Sequence, residues 1–189
     1  MFFIYILQES NMKKLLVASA LLLLSVAPAM ANNYYGKGTL GIFSPDESGL
    51  DSTVSLYAAV GTSLKKQFNA PVSAELGIGY ASPSESFVDV TIIPVTVTAL
   101  YEIPLRDPRF ALNVGGGLGL YFWDVEVDSG LFGNFQDDGT ELGLHLQAGL
   151  DYKLNNQTSL VGELKWSAAE ADDVEIGGVS ANFGVKINL

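Results

Sequence analysis

The side chains able to do chemistry are few. The chain has one histidine, His145, and no cysteine, which excludes a thiol nucleophile and a thiolate metal site. His145 stands between Glu141 and Gln147 on one strand row, so a Ser-His-acid set would need Ser167 delivered from the next strand. The plainer reading is an interior histidine satisfied by hydrogen bonds. Gly115 to Gly119 is rich in glycine but precedes no helix and lacks the third glycine of a dinucleotide fingerprint, so no nucleotide cofactor is expected. Asp124-x-Glu126-x-Asp128 offers the oxygen ligands that hard divalent cations take. Val125 and Val127 keep a strand alternation through it, so it reads first as strand and only second as a cation site. Asn156-Gln157-Thr158 fits a glycosylation sequon by chance. The larger set is ionic. Lys37, Glu75, Glu102, His145, Asp151, Glu163, Lys165 and Lys186 share a polar row with many glycines.

These residues are positioned by alternation. From Phe110 to Phe122, apolar side chains recur at even positions, with Asn113, Gly115, Gly117, Gly119 and Tyr121 between them. From Leu142 to Leu154, Leu and Ala alternate with Gly143, His145, Gln147, Gly149, Asp151 and Lys153. A period of two over such a length specifies β-strand. Similar runs cover 34–43, 53–64, 72–80, 88–103, a seventh strand after Gln157, and 179–189. That makes eight strands joined by hairpins, with turn signals such as Ser48-Gly49 and Asn155-Asn156 between them. In the fourth run the apolar phase changes: Val88, Val90 and Ile92 are even, while Val95, Val97, Ala99, Tyr101 and Ile103 are odd. A β-bulge at Ile92-Ile93-Pro94 is the expected cause.

The composition sets limits on partners. A net charge of −11 argues against nucleic acid. Hydrophobic residues make up 48% of the chain and charged residues 16%, yet no internal stretch supplies the ~20 apolar residues of a spanning helix. A chain apolar only in alternation can place its apolar atoms in lipid as a closed barrel. Met12-Lys13-Lys14, the apolar run to Pro28 and Ala29-Met30-Ala31 form a secretory signal. Residues 1–31 are therefore read as an N-terminal extension plus signal peptide, starting at Met12 and cleaved after Ala31. Residues 32–189 are the barrel. Removing 31 of the 189 residues leaves 158, and losing Glu9, Lys13 and Lys14 takes the net charge to −12.

Alternation does not by itself say which face is outside. A lipocalin-like soluble barrel would turn its apolar row inward. The glycines at 41, 61, 77, 79, 115, 117, 119, 143, 149 and 184 all fall on the polar row. A water-facing strand surface gains nothing from glycine, whereas a narrow bore needs the space. Tyr34, Tyr80, Tyr101, Phe110, Phe122, Tyr152 and Trp166 lie near the ends of apolar rows, where interfacial girdles form. Both features put lipid outside and the ionic set in the bore, where buried charges must be paired.

The final pattern Phe183-x-Val185-x-Ile187-x-Leu189 resembles the assembly signal on the last strand of outer-membrane proteins, although that family usually ends in Phe or Trp. Residues 93–101, 113–119 and 147–152 are similar to segments of small eight-stranded outer-membrane barrels of the OmpW and OmpA/OmpX type. The resemblance implies an all-β, antiparallel up-and-down transmembrane barrel in the cell outer membrane. It implies contact with lipid and lipopolysaccharide, and recognition of the last strand by the barrel-assembly machinery. The implied role is structural, at the surface, or as a narrow passive channel. The alternatives are an adhesion or protective module and a lipid-modifying enzyme. Lipid A deacylase barrels carry His and Ser two apart; here that offset holds Gln147, so no enzymatic role and no cofactor are expected.

With the N-terminus periplasmic, the outer loops fall at about 44–52, 81–87, 124–140 and 169–178. With their flanks they carry 15 acidic residues, from Asp46 to Glu175, and no Lys or Arg. The intervening turns carry Lys65, Lys66, Arg106 and Arg109 against Asp107 alone. One further expectation concerns register. A two-residue turn at Asn155-Asn156 would set an apolar row against a polar one, which a face meeting lipid forbids. A three-residue connection with an αL asparagine and a bulge should pair Leu154 with Thr158, Tyr152 with Leu160 and Gln147 with Lys165.

Overall fold

The structure is a computed structural model that describes residues 34–47, 50–85, 88–128, 134–171 and 174–189. The expected extension and signal at 1–31 lie outside the described residues. Eight long strands form the wall: β1 Tyr34–Pro45, β2 Thr53–Ser63, β3 Val72–Ala81, β4 Val88–Pro104, β5 Phe110–Asp128, β6 Asn134–Lys153, β7 Thr158–Ala168 and β8 Gly178–Asn188. Each pairs antiparallel with its sequence neighbours. β8 pairs with β1, so the sheet closes without an edge. No helix among the described residues is long and apolar enough to cross a membrane. The one helix among them, α1 (Lys65–Phe68), is a single turn joining β2 to β3 and ending on Asn69 in the left-handed region at φ 50°.

The pleat sorts side chains as the sequence implies. Leu142, Leu144 and Leu146 stand outward and exposed, Leu142 at 68%, while His145 between them is 1% exposed. This polarity suits a barrel whose surroundings are hydrocarbon. Tyr80, Phe122 and Trp166 ring one end of the outward face, and Tyr101, Phe110 and Tyr152 ring the other. The rings of Phe110 and Tyr152 meet with centroids 4.8 Å apart, tilted by 41°, and the Arg109 guanidinium lies 5.9 Å over Tyr152. In the same turn Arg109 forks onto Asp107 at 2.8 and 3.2 Å, and these bonds hold the Asp107 carboxyl below its ordinary pKa.

Three sequence expectations are corrected. The first is the bulge at Ile92-Ile93-Pro94. The register of β4 on β5 is unbroken from Val88↔Val127 to Pro104↔Ala111, and the β3 side keeps one register as well. Even positions face inward along all of β4. What changes is the medium outside. Within the membrane the outward row (Val95, Val97, Ala99, Tyr101) is apolar. Beyond it the outside is water, so the apolar residues Val90 and Ile92 turn inward and are 5% and 4% exposed. They join Phe43, Ala81, Tyr121, Ala169 and Ile176 in a compact apolar cluster that fills the outer end of the bore, with Leu50 and Trp123 against it.

The second is the outer loop at 124–140. Strand pairing continues through Asp124↔Asp138 and Glu126↔Gln136 to Asp128↔Asn134. β5 has 19 residues, which at ~3.3 Å each and ~45° tilt rise roughly 44 Å, against an apolar band ~25 Å tall. The excess stands outside the membrane as a ladder. The other outer-loop expectations lie partly on residues outside those described.

The third is the turn after β6. Its register is the expected one: Tyr152↔Leu160, Ala148↔Leu164, Gln147↔Lys165 and His145↔Ser167 pair in line, and the Leu154 N–H donates to the Thr158 carbonyl at 2.9 Å. No αL asparagine is present there, because Asn69 is the one described non-glycine residue with positive φ. The Asn155 side chain closes the turn instead, its Oδ1 accepting from the N–H groups of Gln157 and Thr158 at 2.8 Å each. An Asx turn replaces the backbone twist that a left-handed residue would supply.

Candidate functional site

The site is the bore, built from the inward rows of all eight strands. At mid-height Lys37 of β1 reaches across the lumen. Its Nζ donates to Glu75 Oε2 of β3 at 2.8 Å and to Glu163 Oε2 of β7 at 2.7 Å. The Tyr35 hydroxyl donates to Glu75 Oε1 at 2.9 Å, and Gln147 Nε2 donates to Glu163 Oε2 at 3.3 Å. Lys165 Nζ lies 3.9 Å from Glu163 Oε1 and 3.5 Å over the ring of Tyr57, whose hydroxyl pairs with Thr96 at 2.9 Å. These side chains form a belt across the lumen. Its charges lie on strands far apart in sequence, and only barrel closure brings them together.

The belt is fitted to glycines. Gly61 faces Tyr35 in register, and a Cβ there would run into the Tyr35 ring. A Cβ at Gly77 would run into the Tyr57 ring and hydroxyl. The interior glycines therefore make room for Tyr57, whose ring faces Lys37 and Lys165, and for Tyr35, which bonds Glu75.

The expected ionic residues sort into three groups. Lys37, Glu75, Glu163 and Lys165 meet in the belt. Asp151 and Lys186 form a second ion pair nearer the periplasmic end, with Lys186 Nζ 4.7 Å over the Tyr35 ring. His145 and Glu102 join neither. His145 Nε2 pairs with Thr98 Oγ1 at 2.8 Å, and its Nδ1 has no hydrogen-bond partner. Ser167 faces His145 in register, but its hydroxyl donates to the Gly178 carbonyl at 3.3 Å. No nucleophile–base pair is assembled between them. Glu102 lines the periplasmic mouth and forms no ion pair among the described residues.

Lys165 faces Gln147 in register as expected, and its charge is met by Glu163 on its own strand and by the ring of Tyr57, while the Gln147 amide is turned to Glu163. Tyr35, Tyr57, Thr96 and Thr98 are the site residues that sequence reasoning does not single out. The available signal is their place on the glycine-rich row, where each bulky group needs a small neighbour.

Two spaces flank the belt. A vestibule of about 310 Å³ opens toward the periplasm. A chamber of about 60 Å³ lies on the other side, under the apolar cluster, with Ser55, Tyr57, Lys165 and Asn182 on its walls. Outside the barrel, Asp124 and Glu126 point away from the bore on the outer ladder; the Asp128 side chain lies outside the described residues. Among the described residues no three His, Asp or Glu side chains converge on a metal-sized position.

Residues 16–186 match the model of the outer membrane protein beta-barrel domain family. Comparison with curated proteins finds no match. Solved structures similar in fold include Neisserial surface protein A, at TM-score 0.65 and 14% identity, over 84% of this chain and 98% of that one. OprG from Pseudomonas aeruginosa aligns at TM-score 0.63 and 13% identity, over 84% and 96%. A major outer membrane protein from Thermus thermophilus aligns at TM-score 0.61 and 12% identity, over 84% and 100%. At these identities the likeness is one of fold. With the family match over most of the sequence, a lipid-suited outer face and a closed sheet of eight strands, the chain belongs to the outer membrane protein beta-barrel domain family and is a barrel of the cell outer membrane.

Proposed function

We propose that this barrel serves as a structural and surface element of the outer membrane, not as an open pore or an enzyme. The observation that carries the reading is that the bore is closed twice. The ionic belt of Lys37, Glu75, Glu163 and Lys165 crosses its middle. The apolar cluster around Val90, Ile92, Tyr121 and Ile176 closes its outer end. The two closures differ in chemistry. A polar solute that could exchange with the belt meets an apolar wall above it, and an apolar solute meets buried charge below. An eight-stranded interior is just wide enough for side chains to fill.

The surface role falls to the acidic outer end. Asp89, Asp124, Glu126 and Asp138 lie on one outward patch of the outer ladder, with Asp89 opposite Glu126 and Asp124 opposite Asp138. Carboxylates such as Asp124 and Glu126 offer the oxygen ligands through which divalent cations would bridge this patch to lipopolysaccharide phosphates. The assembly machinery would take hold of the barrel through the outward row of β8: Phe183, Val185 and Ile187.

Planar-bilayer recording tests the closed bore. Folding is checked beforehand by heat-modifiable gel migration of the outer-membrane fraction. The purified barrel should give no steady ohmic current. Regular conductance steps would reject the reading. For the outer patch, calcium should raise the unfolding temperature in vesicles containing lipopolysaccharide, and Asp124→Asn with Glu126→Gln should remove the increase. No response to calcium would overturn the cation bridge.

A further inference from the structure

The connections at the periplasmic end have a composition that a water-facing turn does not need. They are α1 with its flanks (64–71), the turn at 105–109 and the turn at 154–157. Each sets an exposed apolar side chain beside an exposed cation. Phe68, 67% exposed, follows Lys65 and Lys66. Leu105, at 42%, precedes Arg106, and Leu154, at 54%, follows Lys153. Leu105 and Leu154 continue the outward rows of β4 and β6 past Tyr101 and Tyr152. The apolar face therefore runs on beyond the aromatic girdle, to the level where headgroups begin.

The three turns stand side by side. The Glu102 N–H donates to the Pro71 carbonyl and the Lys153 N–H to the Arg109 carbonyl, at 2.8 Å each. The first turn thus abuts the second, and the second the third. Their charge is one-sided. Asp107 is the one carboxylate in them, and Arg109 takes both of its oxygens. Lys66, Arg106 and Lys153 form no ion pair among the described residues, and neither does Lys65, which also lines the vestibule. The arc thus offers free cations at headgroup height and apolar side chains directed at the acyl boundary.

We propose that this periplasmic arc is a docking surface for phospholipids whose headgroups carry net negative charge. Their phosphodiesters would sit on Lys66, Arg106 and Lys153, and the tops of their acyl chains against Phe68, Leu105 and Leu154. The surface is continuous with the lipid-facing wall, and its charge is opposite to the headgroup's. A zwitterionic phospholipid brings the same chains but cancels its phosphate with its own ammonium. A free phosphate ester brings the charge and leaves the three apolar side chains in water.

The test uses the full-length barrel in nanodiscs of phosphatidylcholine, in which phosphatidylglycerol of the same chains is raised stepwise and backbone amide shifts are followed. Shifts at Lys66, Arg106 and Lys153 should saturate early, reporting a preference of at least about tenfold for phosphatidylglycerol, since each free cation near an anionic headgroup is worth about fivefold. Asp124 on the outer ladder should not respond. Sodium chloride at ~0.5 M should shrink the preference by screening. Glycerol phosphate added to discs of phosphatidylcholine alone should leave the three amides in place. A nitroxide near the top of the acyl chain should broaden Phe68, Leu105 and Leu154 more than a water-soluble paramagnetic chelate does. Lys66→Gln, Arg106→Gln and Lys153→Gln together should bring the preference to within about twofold of none. Shifts that merely follow bulk lipid composition, equal shifts with glycerol phosphate, stronger broadening by the chelate, or an unchanged preference in the triple variant would each overturn the proposal. If the triple variant fails the heat-modifiability check, Arg106→Gln alone takes its place and should lower the preference about fivefold; no change there would overturn the surface equally.

Discussion

Replacing Lys37 by Met removes the ammonium that holds the belt together. Lys37 bonds two carboxylates at 2.8 and 2.7 Å, and the side chains in both pairs are no more than 3% exposed. At an effective dielectric of ~20, two unit charges ~3 Å apart interact by roughly 5 kcal/mol. Desolvation of the ammonium offsets part of this, so the loss on removing one partner of a buried pair is about 3–5 kcal/mol. What remains is unfavourable too. Glu75 keeps only the Tyr35 hydroxyl, and Glu163 keeps the Gln147 amide and a distant Lys165. Equilibrium urea unfolding in phospholipid vesicles should therefore show Lys37→Met destabilised by about 3–5 kcal/mol with an unchanged m-value. The triple variant Lys37→Met, Glu75→Gln, Glu163→Gln should recover most of it, because no uncompensated charge is left. A single variant within about 1 kcal/mol of wild type, the range of a surface pair, would falsify the claim that the belt excludes water. A triple variant as weak as the single one would show that lost packing, not charge, sets the cost.

Other consequences are as direct. Cysteines at 147 and 165 should crosslink readily and cysteines at 147 and 164 should not, since Gln147 and Lys165 are paired inside while Leu164 faces lipid; the reverse pattern would break the register of β6 on β7. Spin labels at Leu120 and Glu126 should report lipid and water respectively, because the outward row of β5 passes from aliphatic to acidic between Phe122 and Asp124; equal accessibility would remove that boundary. Ile92→Ala should cost about 2–5 kcal/mol as a buried residue of the apolar cluster, measured by the same unfolding assay; an effect typical of a lipid-facing position would restore the bulge. Gly77→Ala should cost about 1–3 kcal/mol by overpacking, and in a double-mutant cycle with Tyr57→Ala most of that cost should vanish; additive effects would mean that the two residues do not touch.

Much of this protein is legible in its sequence for a physical reason. Strand alternation has a period of two, and a barrel wall has only two faces, so each residue's face follows from its place in the row. The lipid-facing row, the glycine-rich bore, the eight strands and the register across Asn155-Asn156-Gln157 all follow from that rule. Lys165 opposite Gln147 is an example in which turn length and face together leave one pairing. The rule reaches its limit where the surroundings change. At Val88 to Pro94 the sequence records a change of apolar phase, and phase alone does not separate a slipped strand from a strand that leaves lipid for water. The unbroken ladder to β5 decides it.

The belt is what the tertiary structure alone decides. Alternation says that Lys37, Glu75 and Glu163 face inward. It does not say at what height each stands, because height depends on strand tilt and on the closing pair of β8 with β1. That closure carries Lys37 to Glu163 over 126 residues of sequence. It also leaves Glu102 apart, sets His145 against Thr98, and seats Lys165 on Tyr57. Face is a local property of the chain and is written in it residue by residue. Height and partner across a lumen belong to the closed sheet, and they exist only once all eight strands are in place.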